Sequence, residues 1–316
     1  MRQLMAAALV LLGAMSAVGS SRPVAKVQLP CESGYQDLSP SGTQLVVHCK
    51  DRSVRVVSVP EGTERHVFTA GQHANSFLYS QDGSWLAVGF EDGTVEVVPS
   101  QGTAPSERWK PSARRIDQMY FFPDAKTLVV GPVDSPAQVW GFADTPALLA
   151  TLPFEFGGLN ACSVSPDGKT LVAAGDDTVL RWYDTATWKK TREYNGFLLE
   201  TFALTFTPDG KRVLAGGADA RITVMDAATA KPLRQMPPEA GSYVVEIDLL
   251  GDKQRAATVY LDDAGEKPPH ALLWDIATVK SAALNSDAPL TCGTVVGGKL
   301  WVCSADGKTL TMSQYD

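Results

Sequence analysis

Ser165-Pro166-Asp167-Gly168-Lys169-Thr170-Leu171-Val172-Ala173-Ala174-Gly175 reads as a tight turn feeding a short apolar strand. Pro166 fixes φ at the second turn position and Gly168 accepts positive φ at the fourth. Upstream, Ala161-Cys162-Ser163-Val164 alternates as a strand entering the turn. Downstream, Asp176-Asp177 turns the chain into a third strand over 179–184, and an outer strand over 189–194 carries the charges expected of a solvent-facing edge. The second strand is apolar on both faces, so it needs cover from two sides.

The same turn recurs along the chain, beginning at Ser39, Ser80, Phe122, Thr207, Leu249 and Val295 as well as at Ser165, with a period of roughly 42 residues. Each repeat is then one four-stranded sheet that must stack on its neighbours around an axis. Seven such repeats predict an all-β fold, a single seven-bladed β-propeller over 21–316. The last repeat supplies strands over 291–296, 299–303 and 308–314 and no fourth. Ala25-Lys26-Val27-Gln28-Leu29-Pro30 matches the outer strands over 148–153 and 232–237, so an N-terminal strand is expected to complete the last blade.

Trp182-Tyr183-Asp184 and Trp274-Asp275, with Trp140-Gly141 as a degenerate copy, close third strands with an aromatic-Asp ending. With the turns and the period, they make the chain resemble the WD-repeat propellers. The Gly-His pair that opens a well-formed WD repeat is missing from every blade, and His48, His66, His73 and His270 fall elsewhere. The chain is more similar to divergent bacterial exported propellers of the WD-like and YVTN type, in which Pro-Asp-Gly-Lys turns dominate. The resemblance implies the fold strongly and function weakly, because propellers carry function in loops on a common frame.

Arg2 precedes an unbroken apolar run over 5–18 that ends in small residues and is too short to span a bilayer, which reads as a signal peptide over 1–20. The expected product is exported, to periplasm or medium, with no stable membrane anchor. The formal charge of −7 becomes one unit more negative when Arg2 departs. Basic residues are scattered, which argues against nucleic acid as a partner. In an exported protein the five cysteines invite disulfides. If Gly297-Gly298 is a two-residue turn, Cys292 and Cys303 stand opposite each other, and Cys31 and Cys49 share one blade. A four-cysteine metal site is the alternative, but it lacks any Cys-x-x-Cys pair, and Cys162 is left as a buried small hydrophobe.

For chemistry the sequence offers no Gly-x-Ser-x-Gly elbow and no His-Glu-x-x-His motif, so no catalytic, metal-binding or cofactor-binding residue is nominated. The acidic pairs Glu91-Asp92, Asp176-Asp177 and Asp262-Asp263 lie in equivalent turns of separate blades and read as solvated. Loops from each outer strand to the next inner strand share one face with the turns between second and third strands. That loop face carries the candidate contacts for an unidentified protein or peptide: Glu32, His73, Asn75, Arg114, Arg115, Asp117, Glu155, Phe156, Glu239, Tyr243, and the proline-stiffened segment Asp262, Asp263 to His270. Glu32, Glu155 and Glu239 fall at matching positions after outer strands. The leading expectation is a monomeric, non-enzymatic binding scaffold. The alternative is a propeller enzyme or small-ligand binder of the lactonase or quinoprotein kind that uses the central channel, with Asn75, Asp117, Asn160 and Glu246 entering inner strands of four blades.

Overall fold

The computed structural model describes residues 22–51, 53–68, 73–101, 105–250, 255–262, 264, 270–278, 280–284, 290–296, 299–306 and 308–315, with backbone alone at 22, 33–35, 66–67, 290–294, 296 and 305–306. Among these residues the chain forms seven antiparallel sheets of four strands and no helix. The expected leader, Asp263 and most of the loop leading to His270 lie outside the described residues, as does the Gly297-Gly298 turn.

The recurring turn is a hydrogen-bonded cage. In blade 4, Ser165 Oγ donates to Asp167 Oδ1 at 2.7 Å and accepts the Thr170 N–H at 2.9 Å. Asp167 Oδ1 also accepts the Lys169 N–H at 3.1 Å, and Gly168 sits at φ +72°. Ser80 with Asp82 and Thr207 with Asp209 build the same cage in blades 2 and 5. The motif therefore persists because a hydroxyl and a carboxylate satisfy donors that the turn exposes, beyond the φ preferences of Pro and Gly. Where these residues are replaced the turn shifts or adapts. Blade 6 turns from Leu250, whose N–H donates to Arg255 O at 3.0 Å, and not from Leu249. An apolar residue there leaves no side-chain signature to fix the alignment.

Leu171, Val172, Ala173 and Ala174 of the second strand of blade 4 (Thr170–Gly175) are all fully buried. Alternation decides where each goes. Leu171 and Ala173 pack with Val129, Val139 and Leu152 of blade 3, whereas Val172 and Ala174 pack with Phe206, Val213 and Met225 of blade 5. Burying one such Leu or Val contributes about 1.5–3 kcal/mol, so the ring of inter-blade cores, rather than any single sheet, holds the fold together.

The N-terminal strand (Arg22–Gln28) pairs antiparallel with Thr309–Tyr315, with Val27 opposite Leu310, and completes blade 7 as its outer strand. Val27 and Leu29 are buried against Leu310 and Met312.

The described part of every inner strand has one register shift near its loop-face end, and the extra residues are Gly34, Asn75, Asp117, Asn160, Phe202, Val245 and Thr291. A repeated β-bulge at this place opens the strand toward the channel mouth.

Candidate functional site

The loop face is built by fixing short loops to the turns between second and third strands. On the way into blade 4 the chain leaves the outer strand of blade 3, Ala147–Leu152, and crosses to the inner strand Leu159–Val164 through residues 153–158. Asp177 anchors that crossing. Its carboxylate binds Arg181 in a bidentate pair, Nη2–Oδ2 at 2.6 Å and Nη1–Oδ1 at 2.9 Å, and Oδ2 also accepts the Glu155 N–H at 2.8 Å. Its neighbour Asp176 accepts the Gly158 N–H at 2.9 Å. The Arg181 guanidinium lies over the Phe154 ring at 5.5 Å. Burial works to raise the Asp177 pKa, but the hydrogen bonds and charge of Arg181, with the Glu155 N–H, hold it below the usual carboxylate range. Asp176-Asp177, read from sequence as a solvated turn, is therefore half structural: the Asp177 side chain is fully buried and ion-paired. The sequence masked this because the partner, Arg181, falls on the third strand.

Gly157 has φ +68°, and a Cβ there would collide with the Asp176 carboxylate. With Phe154 turned down onto Arg181, the loop holds Phe156 outward at 60% exposure. In the next crossing Phe197 packs edge-on against Tyr194 at 5.3 Å, and Ala218 N–H donates to Glu200 O at 3.0 Å. Leu198 and Leu199 are left exposed at 92% and 47%. These two leucines were not nominated from sequence. The signal was present, since Phe197-Leu198-Leu199 puts three large apolar residues in a crossing only six residues long.

The nominated residues gather in small groups around the ring and not at one centre. Asn75 Nδ2 donates to Asp117 Oδ1 at 2.9 Å, and Arg115 Nε donates to the same oxygen at 2.6 Å. Arg114 reaches Asp134 at 3.8 Å. Glu32 pairs with Lys50 at 2.7 Å, and Glu239 lies 3.9 Å from His270, which stacks on Tyr260. Tyr243 meets Phe202 edge-on. The carbonyl of His73 accepts the Glu91 N–H at 2.8 Å. Glu32 immediately precedes its inner strand, whereas Glu155 and Glu239 stand further ahead of theirs, because the crossings differ in length. Of the channel candidates, Asn75, Asp117 and Asn160 occupy equivalent bulges, and Asn160 Nδ2 is buried without a partner. Glu246 sits one residue past its bulge.

Deeper in the channel, Glu246 and Asp248 of blade 6 and Asp37 of blade 1 are brought near one another. Burial, reinforced by the charge of Asp248, pushes Asp37 up to about 7. Burial pushes Asp248 up to about 6, and burial with the charges of Asp248 and Asp37 holds Glu246 well above the carboxylate range. Asp37 and Asp248 face a cavity of about 530 Å³ at the opposite mouth, rimmed by Pro40, Pro123, Pro166 and Pro208 of the recurring turns. Among the described residues no group of three or more His, Cys, Asp or Glu is arranged to hold a metal ion.

Cys31 and Cys49 form a disulfide with Cα atoms 5.7 Å apart. Cys303 is also disulfide-bonded and stands opposite Cys292 in the ladder, the Cys292 side chain lying outside the described residues. Cys162 is a buried free thiol whose pKa burial raises.

A family model of the WD domain, G-beta repeat, matches residues 62–97 and 147–184. Each match starts at or just before an outer strand and ends in the third strand of the next blade, so the sequence repeat is staggered across two sheets. Over 163 residues the chain is 26% identical to transducin beta-like protein 3 of Rattus norvegicus, a match covering 49% of this chain and 20% of that protein. The Mus musculus protein of the same name matches with the same identity and coverage. The chain thus spans about a fifth of the length of these relatives. Its seven four-stranded sheets, closed by the first strand, and its WD matches make this chain a WD-repeat-like seven-bladed β-propeller.

Proposed function

We propose that this protein is an exported, non-enzymatic scaffold that binds a partner protein or peptide through its loop face. WD-repeat propellers generally serve as interaction scaffolds, which makes a protein partner the natural class. The observation that carries the reading is the set of large apolar side chains held out from rigid loops of one face, Phe156, Leu198 and Leu199. Exposed apolar groups on pinned backbone lose little freedom on contact and form effective anchors. Export is supported by the apolar run over 5–18 and by the Cys31–Cys49 disulfide, a bond that persists in oxidising compartments.

The test is affinity capture from envelope extract with the protein as bait, repeated with Arg115→Ala/Phe156→Ala and with Lys169→Ala on the opposite face. The expected result is one reproducible partner, lost with the loop-face variant and kept with Lys169→Ala. Capture indifferent to both variants would remove the loop face from consideration. A second reading, a small polar or cationic ligand in the channel, is favoured by the carboxyl groups of Asp37 and Asp248 that line the cavity, with Glu246 near them. Native mass spectrometry of the purified protein separates the two, since a retained small molecule supports only the second.

A further inference from the structure

Among the described residues of the loop face, the acidic side chains of blades 1 to 3 are ion-paired except Glu91, whereas those of blades 4 and 5 are unpaired except Asp177. Over blades 1 to 3, Glu32 pairs with Lys50, Asp51 with Arg55, Asp92 with Lys110, Asp117 with Arg115 and Asp134 with Arg114. The loops of blades 4 and 5, residues 153–158, 176–179, 195–200 and 218–221, are all described and contain Glu155, Asp176, Glu200 and Asp219 with no ion-pair partner. Asp177 is neutralised by Arg181, whose two terminal nitrogens both bind that carboxylate; the guanidinium attracts Glu155 at longer range but forms no ion pair with it. Arg221 is the one base in these loops, and it is exposed.

Apolar exposure follows the same division. Among the described residues seven large hydrophobics are exposed. Val24, Leu148, Leu149 and Leu233 lie in outer strands, and the other three, Phe156, Leu198 and Leu199, lie in the uncompensated loops. An unpaired negative field and projecting apolar anchors on the same rigid loops call for one kind of occupant. Resting on the loop-face reading above, we propose that blades 4 and 5 present a docking site for a basic amphipathic segment of a partner protein, in which aliphatic or aromatic side chains alternate with Lys or Arg. The apolar groups of such a segment meet Phe156, Leu198 and Leu199, while its cations supply the partners that Glu155, Asp176, Glu200 and Asp219 lack.

The protein without its leader is titrated against a labelled peptide of repeated Lys-Leu-Ser units, with Glu-Leu-Ser and Lys-Ser-Ser repeats as counterparts, and followed by fluorescence anisotropy. The expected result is saturable binding of the first peptide, with both counterparts weaker by about tenfold or more. Phe156→Ala/Leu198→Ser should weaken the first peptide by about tenfold. Glu155→Gln/Glu200→Gln should weaken it at low salt and leave little difference at high salt, where exposed charges are screened. Lys169→Ala, on the opposite face, should leave binding unchanged. Equal binding of all three peptides, no binding, or indifference to the blade 4 and 5 variants would overturn the proposal. So would sedimentation showing a dimer that Phe156→Ala/Leu198→Ser dissociates, because the occupant would then be a second copy. A partner captured through Arg115 but unaffected by Phe156→Ala/Leu198→Ser would defeat this sector alone, whereas capture indifferent to every loop-face variant would defeat the broader reading.

Discussion

Asp177 and Arg181 show how one buried pair positions a surface. Their side chains are 0% and 6% exposed, and the carboxylate also fixes the N–H of Glu155. Removing one member of such a pair leaves an uncompensated buried charge, a loss of about 3–5 kcal/mol, whereas replacing both by apolar groups costs much less. Arg181→Ala should therefore lower stability toward urea by about that amount, and Asp177→Asn/Arg181→Met should recover a large part of it. Equal destabilisation by the single and double variants would show that the loss comes from packing on Phe154 and not from the stranded carboxylate. The pairing was hidden in the sequence, where Asp176-Asp177 resembles any acidic turn; the cage of Ser165 and Asp167 was legible because both partners lie in one short motif.

Strand pairing at the ring closure is the decisive event at the scale of the element. Residues 25–28 pair without interruption with 309–312, and deletion of the N-terminal strand bares the edge of Thr309–Tyr315. The pairing contributes about 1 kcal/mol for each ladder hydrogen bond in addition to the burial of Val27 and Leu29. Against a total stability of about 5–15 kcal/mol, the loss is large, and an unpaired edge also recruits other chains. A protein beginning at Cys31 should melt at a much lower temperature or become insoluble. A soluble monomer with an unchanged melting curve would show that blade 7 holds without this strand. The match between 25–30 and other outer strands made the closure readable, while the inner-strand bulges, which leave no motif, were not.

For the molecule as a whole, the channel carboxylates set a pH dependence. Asp37 is raised from 3.8 to about 7 and Asp248 from 3.8 to about 6, so both bind protons in the folded state at pH values where the unfolded chain has released them. Their contribution is complete below about pH 4 and is lost as pH rises through 6 to 7. Asp177, with its pKa lowered, acts in the opposite sense: its contribution is present above the unfolded value and lost in acid. The melting temperature should therefore be greatest on the acid side of neutrality and fall between about pH 4 and 7. Asp248→Asn should flatten that fall, since an amide does not ionise. A melting temperature that is level across this range, with the variant indistinguishable from the parent, would show that the carboxylates ionise in the folded ring without penalty.

The sequence by itself determined the repeat, its number, the strand order within each blade and the closing strand, because turn hydrogen bonds and the alternation of buried side chains are local and recur in every unit. Tertiary structure decided what faces what across blades. It paired Asn75 and Arg115 with Asp117, brought Asp37 toward Glu246 and Asp248 from opposite ends of the chain, and left Glu155, Phe156 and Leu198 exposed and Glu200 half-buried on the same loops. Those relations depend on the distances between separate blades around the axis, and no residue pattern within a single repeat encodes them.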